Sequence, residues 1–316
     1  MPDRTLTAGI TFWWRLLLGL IVLTAAASRS SADVVIVNSS DAVPYQQANA
    51  AFIQRLQTPQ CKVRSMLVKD LASAGIGSAI STTDMVVAIG TPAAVWLHNQ
   101  LPEGIMLVYC MVSNPEEAGL LKGSQCWGVT MEVAESEQFK LISQALPSAK
   151  VVGTLYRSDT DLGRLKLQAF KDSLPAGWTV QAIAVNDYAN MAAAIDALIS
   201  KNVDVIWTSA DFKIYDVAAV KELLLASLRK KVPVWGFSPQ FVRAGALLGV
   251  GVDPESQAMQ TSDLIARLQQ DKRSVEKLET PRDYEIAINL VVADQLNIQI
   301  TDALVGKAKF VFRAEN

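Results

Sequence analysis

Short apolar runs alternate with helical patterns along most of the chain. The runs are rich in Val and Ile and nearly continuous, which is typical of strands buried on both faces of a sheet. Between them apolar residues recur at helical spacing, as at Tyr45, Ala48, Phe52 and Leu56. This alternation predicts parallel sheets covered by helices on both faces. The clearest predicted strands are 34–37, 63–68, 85–89, 105–109, 151–156, 179–185, 203–208 and 232–237.

The alternation falls into two blocks, one before about residue 130 and one after the turn at 147–150, and each block predicts a doubly wound α/β lobe. A Gly-rich strand at 246–252 then leads into a helix with Asp253 as N-cap and Pro254 in its first turn.

The remaining elements are a charged stretch at 269–282 and a strand and helix within 284–296. They are too few for a third domain, so we expect them to complete the first two lobes. The expected N-terminal lobe comprises residues 33–130 plus about 253–280, and the expected C-terminal lobe comprises residues 131–252 plus about 281–316.

The first 32 residues have the pattern of an export signal. Arg4 and Arg15 precede an apolar run at 16–27, and small residues at 30–32 close the segment. This run is shorter than the ~20 residues with which a helix crosses a bilayer, so cleavage near Ala32 is favoured over retention as a membrane anchor. No Cys directly follows the run, so we expect a periplasmic protein without a lipid anchor.

The charge and the cysteines exclude several classes of function. The chain has 29 Lys and Arg against 31 Asp and Glu, so nucleic acid is not an expected partner. Cys61, Cys110 and Cys126 follow no metal-ligand spacing, and we expect three small buried side chains. A disulfide between Cys110 and Cys126 is the alternative, since an oxidising compartment permits it.

Few residues are suited to catalysis. The only histidine, His98, lies near the C-terminal end of a predicted helix that starts at Pro92, where a structural role is favoured. No Gly-x-Ser-x-Gly, His-Glu-x-x-His or phosphate-binding loop occurs, and Gly249-Val-Gly251 lacks the third glycine of a dinucleotide fingerprint. We therefore expect no enzyme, no catalytic residue, no metal site and no cofactor. The alternative is an exported hydrolase, in which Asp211, Asp253 or Glu132 would have to act without histidine or metal.

Polar residues follow several predicted strands, where open parallel sheets bind ligands. Each of these residues could instead serve in a turn or a helix cap. The prediction of a ligand site therefore depends on several of them occurring together at the same edge of the sheets. If two sheets face each other across a cleft, the site suits a small zwitterion, with its carboxylate at the helix that Thr91 opens and its ammonium at Asp211. Aromatic residues of the same strands, either core or ligand-flanking, are Tyr109, Tyr156, Trp207 and Phe237.

Several short stretches, weakly specific alone, form a recognisable series by their order and spacing. They are Ala-Ile-Gly-Thr-Pro-Ala-Ala at 88–94, Val-Ser-Asn-Pro at 112–115 with Gly-Leu at 119–120, the Leu-Pro-x-Ala-Lys-x-Val-Gly-x-Leu-Tyr pattern within 141–156, Arg-Ala-Gly-Ala at 243–246 leading to Gly-Val-Asp at 251–253, and Ile-Asn-Leu at 288–290 with Ala293. The series resembles the substrate-binding proteins of ABC transporters with the type I periplasmic-binding fold, in the branch that includes aromatic-amino-acid receptors.

The resemblance implies two lobes joined by a three-segment hinge near 130–133, 246–252 and 280–286, with a ligand buried between them. Carried onto this chain, the ligand contacts fall on Ser39, Ser40, Thr91, Ser113, Asn114, Pro115, Tyr156, Arg157, Ser158, Asp211 and Asp253. Phe237 joins this set as an aromatic flank. Arg157 stands where the family commonly has Asn, which favours an anion over an aromatic amino acid, and Phe212 replaces a polar neighbour of Asp211.

The expected function is therefore that of an exported, monomeric receptor. It would capture an amino acid or a small anion between its lobes and deliver it to an ABC permease in the inner membrane. The alternative keeps the fold but makes the protein a periplasmic ligand-sensing module that acts on a membrane-bound signalling protein.

Overall fold

The computed structural model describes residues 33–59, 61–82, 84–123 and 125–314, so the expected signal peptide at 1–32 lies outside the described residues. The strands are β1 (Val34–Asn38), β2 (Val63–Leu67), β3 (Met85–Ile89), β4 (Met106–Val112), β5 (Cys126–Thr130), β6 (Val151–Tyr156), β7 (Thr179–Ala184), β8 (Val205–Trp207), β9 (Val234–Gly236), β10 (Leu248–Gly251), β11 (Leu278–Glu279), β12 (Glu285–Asn289) and β13 (Phe310–Phe312).

The α-helices cover both faces of the sheets. They are α1 (Val43–Leu56), α2 (Val68–Ala74), α3 (Thr91–Gln100), α4 (Glu135–Ala145), α5 (Asp161–Asp172), α6 (Met191–Ile199), α7 (Val217–Lys230), α8 (Pro239–Ala244), α9 (Pro254–Gln270), α10 (Leu290–Leu296) and α11 (Asp302–Val305). None of these helices is both long and apolar enough to cross a membrane.

Two sheets organise the described residues into two lobes. The first sheet has the order β11-β5-β4-β3-β1-β2 and is parallel throughout. The second has the order β13-β12-β10-β9-β8-β6-β7, with β10 and β12 as its antiparallel pair. We call the first sheet with α1–α3 and α9 the N-terminal lobe, and the second sheet with the other helices the C-terminal lobe. The prediction of two doubly wound α/β lobes is confirmed.

Each sheet has two buried faces because its strands are apolar at successive positions. In β1, Ile36 packs with Phe52 of α1 and Leu264 of α9, whereas Val35 packs on the opposite face with Leu97 of α3. Successive strand residues point to opposite faces, so a continuous Val and Ile run contributes to two cores at once. The same holds in the C-terminal lobe, where α4 and α5 cover one face and α6 to α8 cover the other.

The same alternation determines the state of the cysteines. Cys110 belongs to the core on the face covered by α1 and α9, whereas Cys126 belongs to the core on the opposite face. The two buried thiols are not bonded to each other, so the disulfide alternative is wrong. Cys61 is only half-buried, so the expectation of a buried side chain holds for two of the three cysteines.

The chain passes between the lobes three times. These crossings lie between β5 and α4 at 131–134, between β10 and α9 at 252–253, and between β11 and β12 at 280–284. The first and third overlap the hinge segments expected at 130–133 and 280–286. The second crossing overlaps the expected hinge segment only at its last residue, Val252. Most of 246–252 is strand β10 within the C-terminal sheet.

Candidate functional site

A cleft of about 780 Å³ lies between the two lobes, at the carboxyl ends of their strands. The N-terminal lobe contributes the loop after β4 and the start of α1. The C-terminal lobe contributes the loops after β6, β8 and β9, and the crossing at 131–134 forms part of the wall. The volume falls within the ~300–1,000 Å³ usual for small-molecule sites.

The structure brings seven of the twelve predicted ligand-binding residues into this cleft. Those that line it are Ser113, Asn114, Tyr156, Arg157, Asp211, Phe237 and Asp253. The five that are not part of its lining are Ser39, Ser40, Thr91, Pro115 and Ser158.

Three of the five residues outside the cleft, Ser39, Ser40 and Ser158, make hydrogen bonds to other protein groups. The Ser39 hydroxyl donates to the Ile89 carbonyl (2.8 Å) and accepts from the Ala93 N–H (3.0 Å), so it occupies the N-terminus of α3 where a ligand carboxylate was expected. Ser40 accepts from the Ala42 N–H, and the Ser158 N–H donates to Asn186. The expected zwitterion geometry, with its carboxylate at the helix that Thr91 opens, therefore finds no support in this arrangement.

The loop after β4 is fixed by a buried glutamine of α9. The register of β4 shifts between Tyr109 and Val112, and Met111 has a left-handed backbone (φ 54°). The Met111 N–H donates to Gln257 Oε1 (3.0 Å), and Gln257 Nε2 donates to the Thr130 carbonyl (2.8 Å). Gln257 thus links the end of β4 to the end of β5, and it positions the residues that follow each strand.

Asn114 connects the lobes directly across the cleft. Its backbone is left-handed (φ 50°), and its Nδ2 donates to the Ala210 carbonyl of the C-terminal lobe (2.5 Å). Its Oδ1 accepts from Lys166 Nζ on α5. One amide group therefore bonds to two elements of the opposite lobe.

Glu117 forms a second connection between the lobes. Its Oε1 lies 2.5 Å from Lys213 Nζ and 3.6 Å from Arg157 Nη1, and both cations belong to the C-terminal lobe. Together with Asn114, Glu117 joins the two lobes across the cleft.

Arg157 is engaged by acidic side chains. Its Nε lies 3.3 Å from Asp159 Oδ1, and this hydrogen bond, with the charges of Asp159, Asp211 and Glu117, raises the pKa of the guanidinium. The positive charge of Arg157, which was expected to select an anionic ligand, is therefore already balanced by carboxylates of the protein.

Aromatic rings of the C-terminal lobe form an apolar wall of the cleft. The Phe170 and Trp207 ring centroids lie 4.3 Å apart, and Phe237 packs edge-on against Phe212 at 5.9 Å. Trp207 Nε1 donates to Gln138 Oε1 (2.8 Å), which fixes the indole. Tyr109, the other candidate flank, is fully buried in the N-terminal lobe and is core.

Several lining residues were not among the predicted ligand contacts. Among them are Pro44, Gln47, Glu116, Glu132, Glu135, Lys166, Phe170 and Lys309. The position of Glu132 directly after β5 was a usable signal, but β5 was absent from the clear strands because Cys126-Trp-Gly-Val-Thr130 is not a β-branched run. Within the described residues, no group of His, Cys, Asp and Glu could hold a metal ion.

Neutralising Glu117 is expected to open the ligand-free protein. Glu117→Gln removes the two salt bridges that Glu117 makes with Lys213 and Arg157. Each of them contributes up to about 1 kcal/mol to the closed form. Small-angle scattering of the ligand-free variant should show a larger radius of gyration than wild type, and raised salt should move wild type in the same direction.

Glu137→Gln is the matched control, because Glu137 pairs with Lys140 within one helix of a single lobe. Its radius of gyration should equal that of wild type. If the Glu117 variant also matches wild type at low salt, the interlobe salt bridges do not determine closure.

Two α/β lobes around a ligand-sized cleft define a solute-binding protein of the periplasmic type. Residues 77–312 match the model of the ABC transporter substrate binding protein family. Because the match spans most of the chain, the protein belongs to that family, which confirms the resemblance found in the sequence.

Solved structures support the fold. An ABC domain in complex with L-Trp from Streptococcus pneumonia is 21% identical, with a TM-score of 0.59 over 90% of this chain and 100% of that one. A ligand-free, open substrate-binding protein with adhesive properties from Clostridium difficile is 18% identical, with a TM-score of 0.66 over 90% and 100%. A conserved domain protein from Vibrio cholerae is 20% identical, with a TM-score of 0.58 over 89% and 99%. The search of curated proteins returned no match.

Proposed function

We propose that this protein is an exported receptor that captures a small molecule between its lobes and delivers it to an ABC permease in the inner membrane. The observation that carries the proposal is the cleft itself, which both lobes line and across which Asn114 and Glu117 already make contacts. Family membership supports the same role. In this role the chain works as a binding protein and performs no chemistry on its ligand.

The proposed binding cycle depends on contacts that form between the ligand and the second lobe when the lobes close. The ligand first meets one lobe of the open form, and closure then adds contacts from the other lobe. Contacts that exist only in the closed form shift the equilibrium between open and closed states toward closure. The three crossings between the lobes act as the hinge, and the permease recognises the closed monomer. The leader at 1–32 directs the chain to the periplasm, where the ligand is met.

Reconstitution tests the delivery step. A candidate ABC permease is placed in liposomes with its ATPase, and ATP hydrolysis is measured with the ligand-free and the ligand-loaded receptor. We expect the loaded receptor to stimulate hydrolysis more strongly than the ligand-free receptor. A receptor that binds its ligand but leaves hydrolysis unchanged, and that instead associates with a membrane-bound kinase or cyclase, would replace delivery with sensing.

A further inference from the structure

The cleft has more carboxylates than cationic groups along its wall. The lining acids are Glu116, Glu132, Glu135, Asp211, Asp253 and Glu285, and the lining bases are Arg157, Lys166 and Lys309. The lining side chains therefore carry a net negative charge. This charge repels an anionic ligand and attracts a cationic one.

The three bases are all occupied by protein groups. Arg157 lies against Glu117 and Asp159, as described above. Lys309 pairs with Glu285 and lies 3.8 Å from Asp253 Oδ1. Lys166 donates to the Asn114 amide oxygen. An anion would compete with protein carboxylates for Arg157 and Lys309, whereas Lys166 bonds to a neutral amide oxygen.

Two helix N-termini at the cleft have a protein carboxylate beside them. Asp253 caps α9 by accepting from the Ser256 N–H (2.8 Å), and Glu135 lies in the first turn of α4. Helix N-termini attract anions. The side chain of Asp253 therefore occupies the backbone site at α9, and the charge of Glu135 disfavours a ligand carboxylate at the start of α4.

Glu132 differs from the other lining acids in its position. It lies in the crossing at 131–134, between the two lobes. Like Glu116, Glu135 and Asp211, it makes no salt bridge among the described residues, so four of the six lining acids are without one. Burial raises the pKa of its carboxyl, and the charge of Lys166 and the Asn114 N–H oppose that rise. A desolvated carboxylate of this kind is stabilised most by a cation placed against it.

The apolar wall suits the same class of ligand. Phe170, Trp207 and Phe237 offer rings to a flat apolar body, and ring faces also attract ammonium groups. The cleft volume of about 780 Å³ is large enough for a one- or two-ring molecule.

We propose that the ligand is an organic cation, a protonated amine on an apolar ring-sized body and without a carboxylate, whose ammonium binds Glu132. This inference rests on the receptor role proposed above and names its substrate class. It replaces both ligand classes expected from the sequence, an anion and an amino-acid zwitterion.

Calorimetric titration with matched compounds tests the class. Each set keeps the ring and changes the charged groups on its side chain: tyramine, tyrosine and 4-hydroxyphenylacetate, then tryptamine, tryptophan and indole-3-acetate. We expect at least one of the two amines to bind, at least tenfold more tightly than the zwitterion and the acid of its own set. Glu132→Gln should weaken that amine at least tenfold, whereas Glu222→Gln, the same change on an exposed face of α7, should leave its affinity unchanged.

The stability of Glu132→Gln separates lost binding from lost folding. Because the pKa of Glu132 is raised in the folded state, the stability contributed by this group is present below its unfolded pKa and is lost as pH rises through the folded pKa. The ligand-free variant should therefore melt at a higher temperature than wild type at pH 7, and the difference should vanish below about pH 4.

The outcomes distinguish this inference from the receptor role. Tighter binding of an acid or a zwitterion than of its matched amine would overturn the ligand class and leave the receptor role standing. Amine binding that Glu132→Gln does not weaken, in a variant that is folded, would also overturn the inference. If none of the six compounds binds, the ligand class is wrong, and stimulation of the permease by receptor purified with its natural ligand then decides the receptor role separately.

Discussion

Replacing Phe139 by Ala should lower the free energy of unfolding by about 3–5 kcal/mol. Phe139 of α4 is fully buried, and its ring packs 5.4 Å from Phe170 and 5.8 Å from Trp178, centroid to centroid. The substitution leaves a ring-sized cavity beneath the aromatic wall, because these neighbours belong to a packed core that relaxes only in part. Urea unfolding followed by circular dichroism measures the loss.

The same substitution should weaken ligand binding, because Phe139 supports Phe170 from behind and Phe170 lines the cleft. Phe212→Ala is the matched control for stability. The Phe212 side chain is 64% exposed at the cleft, so its removal should cost well under 1 kcal/mol. Equal losses in the two variants would contradict the packing described for α4 and α5.

Replacing Gln257 by Leu should lower the free energy of unfolding by about 2–5 kcal/mol, because a buried group left without a partner costs about 1–3 kcal/mol. Gln257 is 2% exposed and bonds to the Met111 N–H and the Thr130 carbonyl, both of which the change leaves unpaired. Since these groups end β4 and β5, the loop that carries Asn114 should also exchange its amide hydrogens faster. Urea unfolding and hydrogen exchange measure the two effects.

Gln269→Leu, at an exposed position on the same helix, is the control and should change stability by less than about 0.5 kcal/mol. If Gln257→Leu is as stable as this control, the glutamine does not hold the two strand ends. If stability falls but the Asn114 loop exchanges as in wild type, the bond to Met111 does not position the loop.

Much of the fold could be predicted because its strands are apolar on both faces. The run at 34–37 is Val and Ile throughout and became β1, and the helix with Asp253 as N-cap begins at Pro254 as expected. The missed strands lack this signal: β11 is two residues, Leu278 and Glu279, within a charged stretch. Such a strand is specified by its pairing with β5, which local sequence does not encode.

A residue of the candidate site could be predicted from the sequence only where its place after a single strand is enough to put it in the cleft. Ser113 directly follows β4, Asp211 lies in the loop after β8, and both line the cleft. By contrast, whether Ser39 binds a ligand or the Ala93 N–H depends on how closely two loops approach, and that distance has no sequence signature. The role of Arg157 likewise depends on Glu117 of the opposite lobe. The sequence does not predict this contact, because it forms only where the two lobes pack together.

Hydrogen exchange with and without ligand tests most directly whether a ligand is held between both lobes. The receptor is measured with the tightest-binding member of the six-compound panel. We predict slower exchange at 113–117 of the N-terminal lobe and at 207–213 of the C-terminal lobe together, with no change in α6 on the far face. Protection confined to one lobe, or absent from both loops at saturating ligand, would contradict the account.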